Sequence, residues 1–312
     1  MIPKIEKNVS LKNYSNYRIG GPAKYFVKVK NKKELVKILS FCQENNLKFF
    51  ILGGGTNILF SDKGFNGMVI KMENKKFKFL RNNKLLVESA CKMEKIVRET
   101  TRRGLSGLEW AGGLPGTIGG AIYGNAGAFG GEIKDTVEKV ITFSPKEKKE
   151  KEYSNKECQF GYRTSIFKKN KEIILSAILS FKKEKIQKLK KIVKKNINYR
   201  KERHPLEYPT CGSVFKNCPL NKVPLEIREK FKDKIKLDPF PILPVAVLID
   251  HAGLKGLTIG GAKISEKHPN FIVNFNKAKA KDVLAIIKKV KETIKKKFKI
   301  KLEEEIEIID FK

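Results

Sequence analysis

The sequence predicts an α+β fold in two domains, and three observations carry that expectation. A chain of 312 residues with 40% hydrophobic content can build more than one core, at roughly 100–200 residues per domain. Short strand patterns are interspersed with amphipathic helical patterns along its length. Near residue 204 the character changes, because His204-Pro205 and Tyr208-Pro209-Thr210 make a turn-rich linker.

The elements follow in order. Residues 25–29 read as a strand. Residues 31–45 read as a helix with Leu35, Ile38, Leu39 and Cys42 on one face. A short strand at 49–52 runs straight into Gly53-Gly54-Gly55-Thr56-Asn57. Residues 58–60, 68–72 and 85–88 continue as strands, and 93–103 as a helix closed by Gly104, a good left-handed cap. After the glycine-rich stretch 112–131 come strands at 137–143 and 173–181, then a basic helix within 182–203. The last hundred residues read as a separate α+β unit. It holds a strand or helix at 244–252, a glycine-rich turn at 256–261, a strand at 271–274, a helix at 280–298 and a terminal strand at 306–309. No internal repeat is visible.

Lys+Arg of 67 against Asp+Glu of 33 gives a formal charge of +34. A nucleic-acid partner would use such charge to displace counterions from phosphates. Its distribution argues for a solvated face instead. The basic residues run along the whole chain without interleaved stacking aromatics. In 182–203, Ile186, Leu189, Val193 and Ile197 recur at helical spacing and leave the lysines on the wet side. The helix at 280–298 repeats this, with Val283, Ile287, Val290 and Ile294 inside and Lys288, Lys289, Lys295 and Lys296 outside. No specific nucleic-acid partner is expected, although the positive field attracts any anionic ligand.

No run of about 18 apolar residues is present, so no membrane span is expected. The opening MIPKIEKNVSLKNY lacks the apolar core of a signal peptide. Cys42, Cys91, Cys158, Cys211 and Cys218 are scattered, with no CxxC pair, as in a reduced, cytoplasmic protein. His204, His251 and His268 stand far apart, so no metal site is expected.

Glycine serves where a backbone must approach a ligand closely. A strand followed by Gly53–Asn57 is therefore a candidate diphosphate cradle, its amides aimed at phosphate oxygens with no Cβ in the way. The stretch from Gly112 to Gly127 is richer, with seven glycines in sixteen residues. Neither segment is followed by GKS or GKT, and neither contains GxGxxG, so a Walker A loop and a Rossmann fingerprint are excluded. A lone Gly53-Gly54-Gly55 run reads equally as a tight turn. Two in one domain point to a phosphorylated cofactor or nucleotide of unassigned class.

Ordered blocks then carry a resemblance. Asn16-Tyr17-Arg18-Ile19-Gly20-Gly21-Pro22-Ala23, Gly53–Asn57 and Gly113-Leu114-Pro115-Gly116-Thr117-Ile118-Gly119-Gly120 resemble the UDP-N-acetylenolpyruvoylglucosamine reductase family. So do Tyr162-Arg163-Thr164-Ser165-Ile166-Phe167, Cys211-Gly212-Ser213-Val214-Phe215-Lys216-Asn217, the block from Leu248 to Gly256, and Leu302-Glu303-Glu304-Glu305-Ile306. The match runs in order from about residue 11 to 309. The resemblance implies a two-lobed FAD-binding fold of the vanillyl-alcohol-oxidase type, followed by a smaller α+β substrate domain. It implies a FAD-binding region over 1–203, in lobes of about 1–72 and 73–203. A UDP-sugar domain follows over 204–312, its terminal strand free to return to the first lobe.

The resemblance implies non-covalent FAD, NADPH as hydride donor and UDP-N-acetylglucosamine-enolpyruvate as substrate, in peptidoglycan precursor synthesis. A hydride passes from flavin N5 to C3 of the enolpyruvyl group, and C2 is protonated. By motif position Ser213 is the proton donor; without the resemblance it reads as a turn serine after Gly212. Arg163 pairs with the substrate carboxylate, for which its planar fork suits. Glu305 either donates a hydrogen bond as the neutral acid or orients another donor; alone, Glu303–Glu305 reads as a solvated acidic run. Lys216 and Asn217 meet the sugar nucleotide. Gly53, Gly54, Gly55, Thr56, Asn57, Pro115, Gly116, Thr117, Gly119, Gly120, Asn125 and Gly127 surround the FAD diphosphate. A monomer is expected.

Only 49 residues separate Arg163 from Ser213, as in shorter family members without an inserted tyrosine loop. Two other readings compete. One is an oxidase of small alcohols on the same fold, against which Ser213 and Glu305 argue. The other is a basic polyanion-binding protein, which would hold no chromophore.

Overall fold

The computed structural model describes residues 3–238 and 240–310. By internal contacts these fall into two units. Residues 3–9, 23–54 and 66–198 form the first, and 10–22, 55–65 and the residues from 199 onward form the second.

The first unit carries two sheets. One has strands β1 (Ile5–Ser10), β2 (Pro22–Val29), β3 (Phe49–Leu52) and β4 (Phe65–Met72) in the order β1-β2-β4-β3. Within it β3 and β4 run parallel, Leu52 opposite Lys71. Helix α1 (Lys32–Glu44) connects β2 to β3. The Asn31 side chain caps it by accepting the Glu34 N–H, and Leu35, Ile38, Leu39 and Cys42 face inward as the periodicity requires.

The other sheet is antiparallel throughout. It contains β5 (Phe77–Phe79), β6 (Lys84–Glu88), β7 (Val137–Ser144), β8 (Lys149–Ser154) and β9 (Ile173–Ser180), in the order β8-β7-β9-β6-β5. Helices α2 (Met93–Arg102) and α3 (Ile118–Gly124) contribute Ile96, Val97, Ile118 and Ile122 to a core shared with Leu85, Val87, Val140 and Leu179. A separate core joins α1 to Val27, Met68, Ile70 and Phe143.

The chain passes from the first unit to the second within α4 (Ile186–Arg203). Its buried face is rotated from the one expected. Ile186 is 37% exposed, whereas Leu189, Asn196 and Arg200 are buried. The polar Asn196 is tolerated because its amide donates to the Glu109 carbonyl at 2.9 Å.

In the second unit the segment left open between strand and helix is α6 (Val245–His251), after the short α5 (Leu225–Lys230). It packs with α7 (Ala280–Phe298) in one core, where Val283, Ile287, Val290 and Ile294 are buried. Strands Ala262–Ile264 and Ile272–Asn274 pair antiparallel. The terminal strand Glu307–Ile309 lies parallel to strand Ile58–Phe60. Among the described residues no helix is long and apolar enough to cross a membrane.

Candidate functional site

The two glycine-rich segments meet in the first unit. β3 ends at Leu52 and delivers Gly53 and Gly54 against Gly116 and Thr117. A Cβ on Gly54 would stand 2.9 Å from the Gly116 Cα, and one on Gly53 would stand 3.1 Å from Thr117 Oγ1. The two backbones thus run close together, glycine against glycine at Gly54 and Gly116, with the Thr117 hydroxyl against Gly53. Thr117 caps α3, its hydroxyl accepting the Gly120 N–H at 3.3 Å. Pro115 and Gly120 are exposed, and Gly124 has no atom within 4 Å of its Cβ position, so bare backbone is left open along this helix. Such a surface fits FAD, whose diphosphate needs amide donors and whose flat rings need uncluttered backbone. Gly119 differs. It is buried, and its missing side chain admits Ser89.

The turn after α3 links this surface to Arg163. Asn125 sits in the left-handed conformation, fully buried. Its amide donates to the Gly161 carbonyl at 2.9 Å and its oxygen accepts the Lys134 N–H at 3.3 Å. With its side chain engaged by protein backbone, Asn125 offers a ligand only the turn it shapes. Arg163 also has positive φ, at 56°. Its Nη2 donates to the Gly127 carbonyl at 2.9 Å, and its guanidinium lies 5.0 Å over the Tyr162 ring. Gly127 and Arg163 therefore form one fixture, half-buried.

The second unit holds Gly55, Thr56, Asn57, Ser213, Lys216, Asn217 and Glu305. The Gly53–Asn57 motif is thus divided after Gly54. Gly55 has φ 68°, and a Cβ there would fall 1.9 Å from the Tyr14 carbonyl oxygen. Thr56 is half-buried. Asn57 donates to the Glu305 carbonyl at 3.0 Å and accepts the Glu307 N–H at 2.9 Å.

Ser213 lies on a narrow ladder. It bridges Phe271 on one side, and the next residues bridge the acidic run on the other. Glu305 N–H donates to Val214 O at 2.7 Å, and Lys216 N–H to Glu303 O at 3.0 Å. Glu305 is thus bonded to Val214, the residue after Ser213, and Ser213 and Glu305 are both half-buried. The three glutamates have different fates. Glu303 pairs with Lys216 and Lys222, each at 3.2 Å, which holds its carboxyl below the usual range. Glu304 pairs with Lys291 at 2.7 Å. Asn217 accepts the Val245 N–H at 3.2 Å, which orders the start of α6.

Asn270 was not anticipated. It is 3% exposed, accepts the Phe215 N–H at 3.0 Å and donates to the Phe215 carbonyl at 2.8 Å. Its backbone carbonyl also accepts the Val214 N–H at 2.8 Å. One asparagine thus fixes the strand that presents Ser213. Cys211, two residues before, is buried against the Ile58 carbonyl, and burial pushes its thiol up to about 12. It is inert at neutral pH. Among the described residues no group of three or more His, Cys, Asp or Glu is arranged to hold a metal.

Comparison with known proteins agrees with this geometry. Residues 23–146 match the FAD binding domain family, and residues 204–309 match the C-terminal domain of UDP-N-acetylenolpyruvoylglucosamine reductase. The reductase of that name from Caldanaerobacter subterraneus is 36% identical over 306 residues, covering 98% of this chain and 94% of the relative. The one from Halalkalibacterium halodurans is 38% identical over 310 residues, covering 99% and 95%. This chain belongs to the UDP-N-acetylenolpyruvoylglucosamine reductase family. The crystal structure of the reductase from Thermus caldophilus superposes with a TM-score of 0.78 at 29% identity, covering 98% of this chain and 99% of that one. The chain is a FAD-dependent oxidoreductase, and its fold is the expected α+β one, a FAD-binding fold followed by the reductase C-terminal domain.

Proposed function

We propose that this enzyme reduces the enolpyruvyl group of UDP-N-acetylglucosamine-enolpyruvate to give UDP-N-acetylmuramate, with NADPH as electron donor, in peptidoglycan precursor synthesis. The observation that carries the reading is the ladder that joins the Ser213–Lys216 segment to Glu303–Glu305 inside the matched C-terminal domain. FAD, when bound, would supply the hydride chemistry that links NADPH to C3 of the enolpyruvyl group. The residues that would hold it are Gly53–Asn57, Pro115, Gly116, Thr117, Gly120 and Gly127, with Gly119 and Asn125 shaping the backbone behind them. In this reading residues 1–203 serve the flavin and 204–312 the sugar nucleotide.

Hydride addition at C3 leaves negative charge spreading from C2 into the carboxylate. Arg163 matches that charge with a planar fork that never deprotonates. Ser213 Oγ gives C2 its proton. A serine hydroxyl is a very weak acid, so it serves only a strongly basic carbon, which this intermediate provides. Glu305 either donates to the developing enolate as the neutral acid, since an ionised carboxylate there would repel it, or orients another donor. Lys216 and Asn217 hold the sugar nucleotide. The five buried free thiols suit the reducing cytoplasm.

A spectrum of the purified protein tests the reading. A flavin band that bleaches with NADPH under anaerobic conditions, and returns when the enolpyruvyl sugar nucleotide is added, is expected. Mass analysis should then show a product two hydrogens heavier. A band that bleaches but does not return with this acceptor would overturn the substrate assignment.

A further inference from the structure

The Gly53–Gly54 turn has a neighbour that the motif does not contain. Lys71 lies on β4 opposite Leu52, the last residue of β3. Its half-buried ammonium donates to the Gly53 carbonyl. A peptide unit is planar and trans, so its C=O and N–H point in opposite directions. Holding the Gly53 carbonyl therefore fixes the direction of the Gly54 N–H, away from Lys71. The facing segment is fixed in the same manner. The Met93 N–H donates to the Gly116 carbonyl at 3.0 Å, which turns the Thr117 N–H to the opposite side. The two carbonyls that would repel an anion are thereby engaged.

The charge around Lys71 is unbalanced. Lys75 after β4, Lys92 before α2 and Lys28 on β2 add positive charge that acts on Lys71, and Glu73 opposes them. Glu73 itself lies 3.5 Å from the Lys75 ammonium. Lys92 bridges Thr117 through the backbone, so this cluster and both glycine segments share one locale. A locale rich in cations and fixed amides suits a multiply charged anion.

We propose that Lys71 is a positioning residue for the FAD diphosphate: it orients the Gly54 amide through the Gly53 carbonyl and supplies positive charge behind the cradle. This rests on the assignment of FAD to the Gly53–Gly54 and Gly116–Thr117 segments. Burial, and then the neighbouring lysines, lower the Lys71 ammonium to about 8. In the flavin-free protein it therefore loses its proton as pH rises through about 8. FAD, binding the charged form better, draws a proton in, so affinity weakens above that pH.

The experiment measures FAD affinity of the full-length, flavin-stripped chain by fluorescence titration from pH 6.5 to 9, for wild type, Lys71→Met and Lys71→Arg. Wild type should weaken above pH 8. Lys71→Met should bind about tenfold or more weakly at pH 7 and show a flat profile, as expected for loss of a charge-assisted contact. Lys71→Arg, which cannot deprotonate, should hold its affinity at pH 9. Circular dichroism checks each fold. If Lys71→Met does not fold, the wild-type and arginine profiles decide alone. A pH-independent wild-type affinity, or Lys71→Met binding as wild type does, overturns the proposal. A wild type that takes up no FAD at all overturns the cofactor assignment instead.

Discussion

The glycine cradle of the first unit and the Ser213 ladder of the second solve opposite problems. The cradle is built by leaving atoms out. Gly54 and Gly116 approach until a single Cβ would collide, and what remains to bind with is backbone. The ladder is built by holding one side chain still. Ser213 is framed by backbone bonds to the Phe271 and Glu305 segments, and Asn270 locks the frame. Adding an atom should therefore break the cradle, while removing one should silence the ladder without disturbing it.

The largest effect expected is at Ser213. Ser213→Ala removes a hydroxyl and leaves every backbone bond of the ladder in place. Turnover should fall about 10²–10⁴-fold, the usual worth of a positioned proton donor. Flavin reduction by NADPH, followed by stopped flow, should be unchanged. Slowing of that half-reaction by the same factor would mean Ser213 acts on something other than substrate protonation. Asn270→Ala should come next. It strands the buried Phe215 N–H and carbonyl and should cost about 2–4 kcal/mol, read as a lowered Tm. Gly54→Ala tests the other region. Forcing a Cβ into backbone should cost about 1–3 kcal/mol, appearing as weakened FAD retention with the sugar-nucleotide affinity preserved. Equal loss of both affinities would erase the contrast between the regions.

These two regions were unequally legible in the sequence. The cradle announces itself, because a run of glycines after a strand has few uses. Strand Phe49–Leu52 and helix Ala280–Phe298 were also readable to the residue, since apolar periodicity and strong end signals agree there. Helix Ile118–Gly124 was hidden inside the glycines that define the motif. Its helicity comes from the Thr117 cap and the burial of Ile118 and Ile122, not from propensity. Strand Lys149–Ser154 was missed because an exposed edge strand of charged residues carries no alternation. At the ladder, Ser213 needed a family resemblance to stand out from a turn serine. Asn270 and Lys71 act through hydrogen bonds to residues 55 and 18 positions away, and no local pattern marks such a bond.

A further expected effect separates the regions by acid. His204 and His268 pack against Phe271, the residue that bridges Ser213, with ring centroids 4.8 and 4.7 Å away. Burial lowers both imidazoles from 6.5 to about 4, with Arg200 and His268 adding to the effect on His204 and Lys236 to that on His268. The folded chain thus refuses protons that the unfolded chain accepts. Stability is intact above pH 6.5 and drains as pH falls toward about 4. The slope is at most about 1.4 kcal/mol per pH unit for each histidine. The cradle has no histidine, so only the ladder should soften. Hydrogen exchange at pH 5.5 should show faster opening at the Val214 and Phe215 amides than at pH 7.5, after correction for intrinsic rates. The Ile118 and Gly119 amides should not change. Replacing both histidines by glutamine should abolish the difference, and uniform softening of both regions would show that the acid sensitivity arises elsewhere.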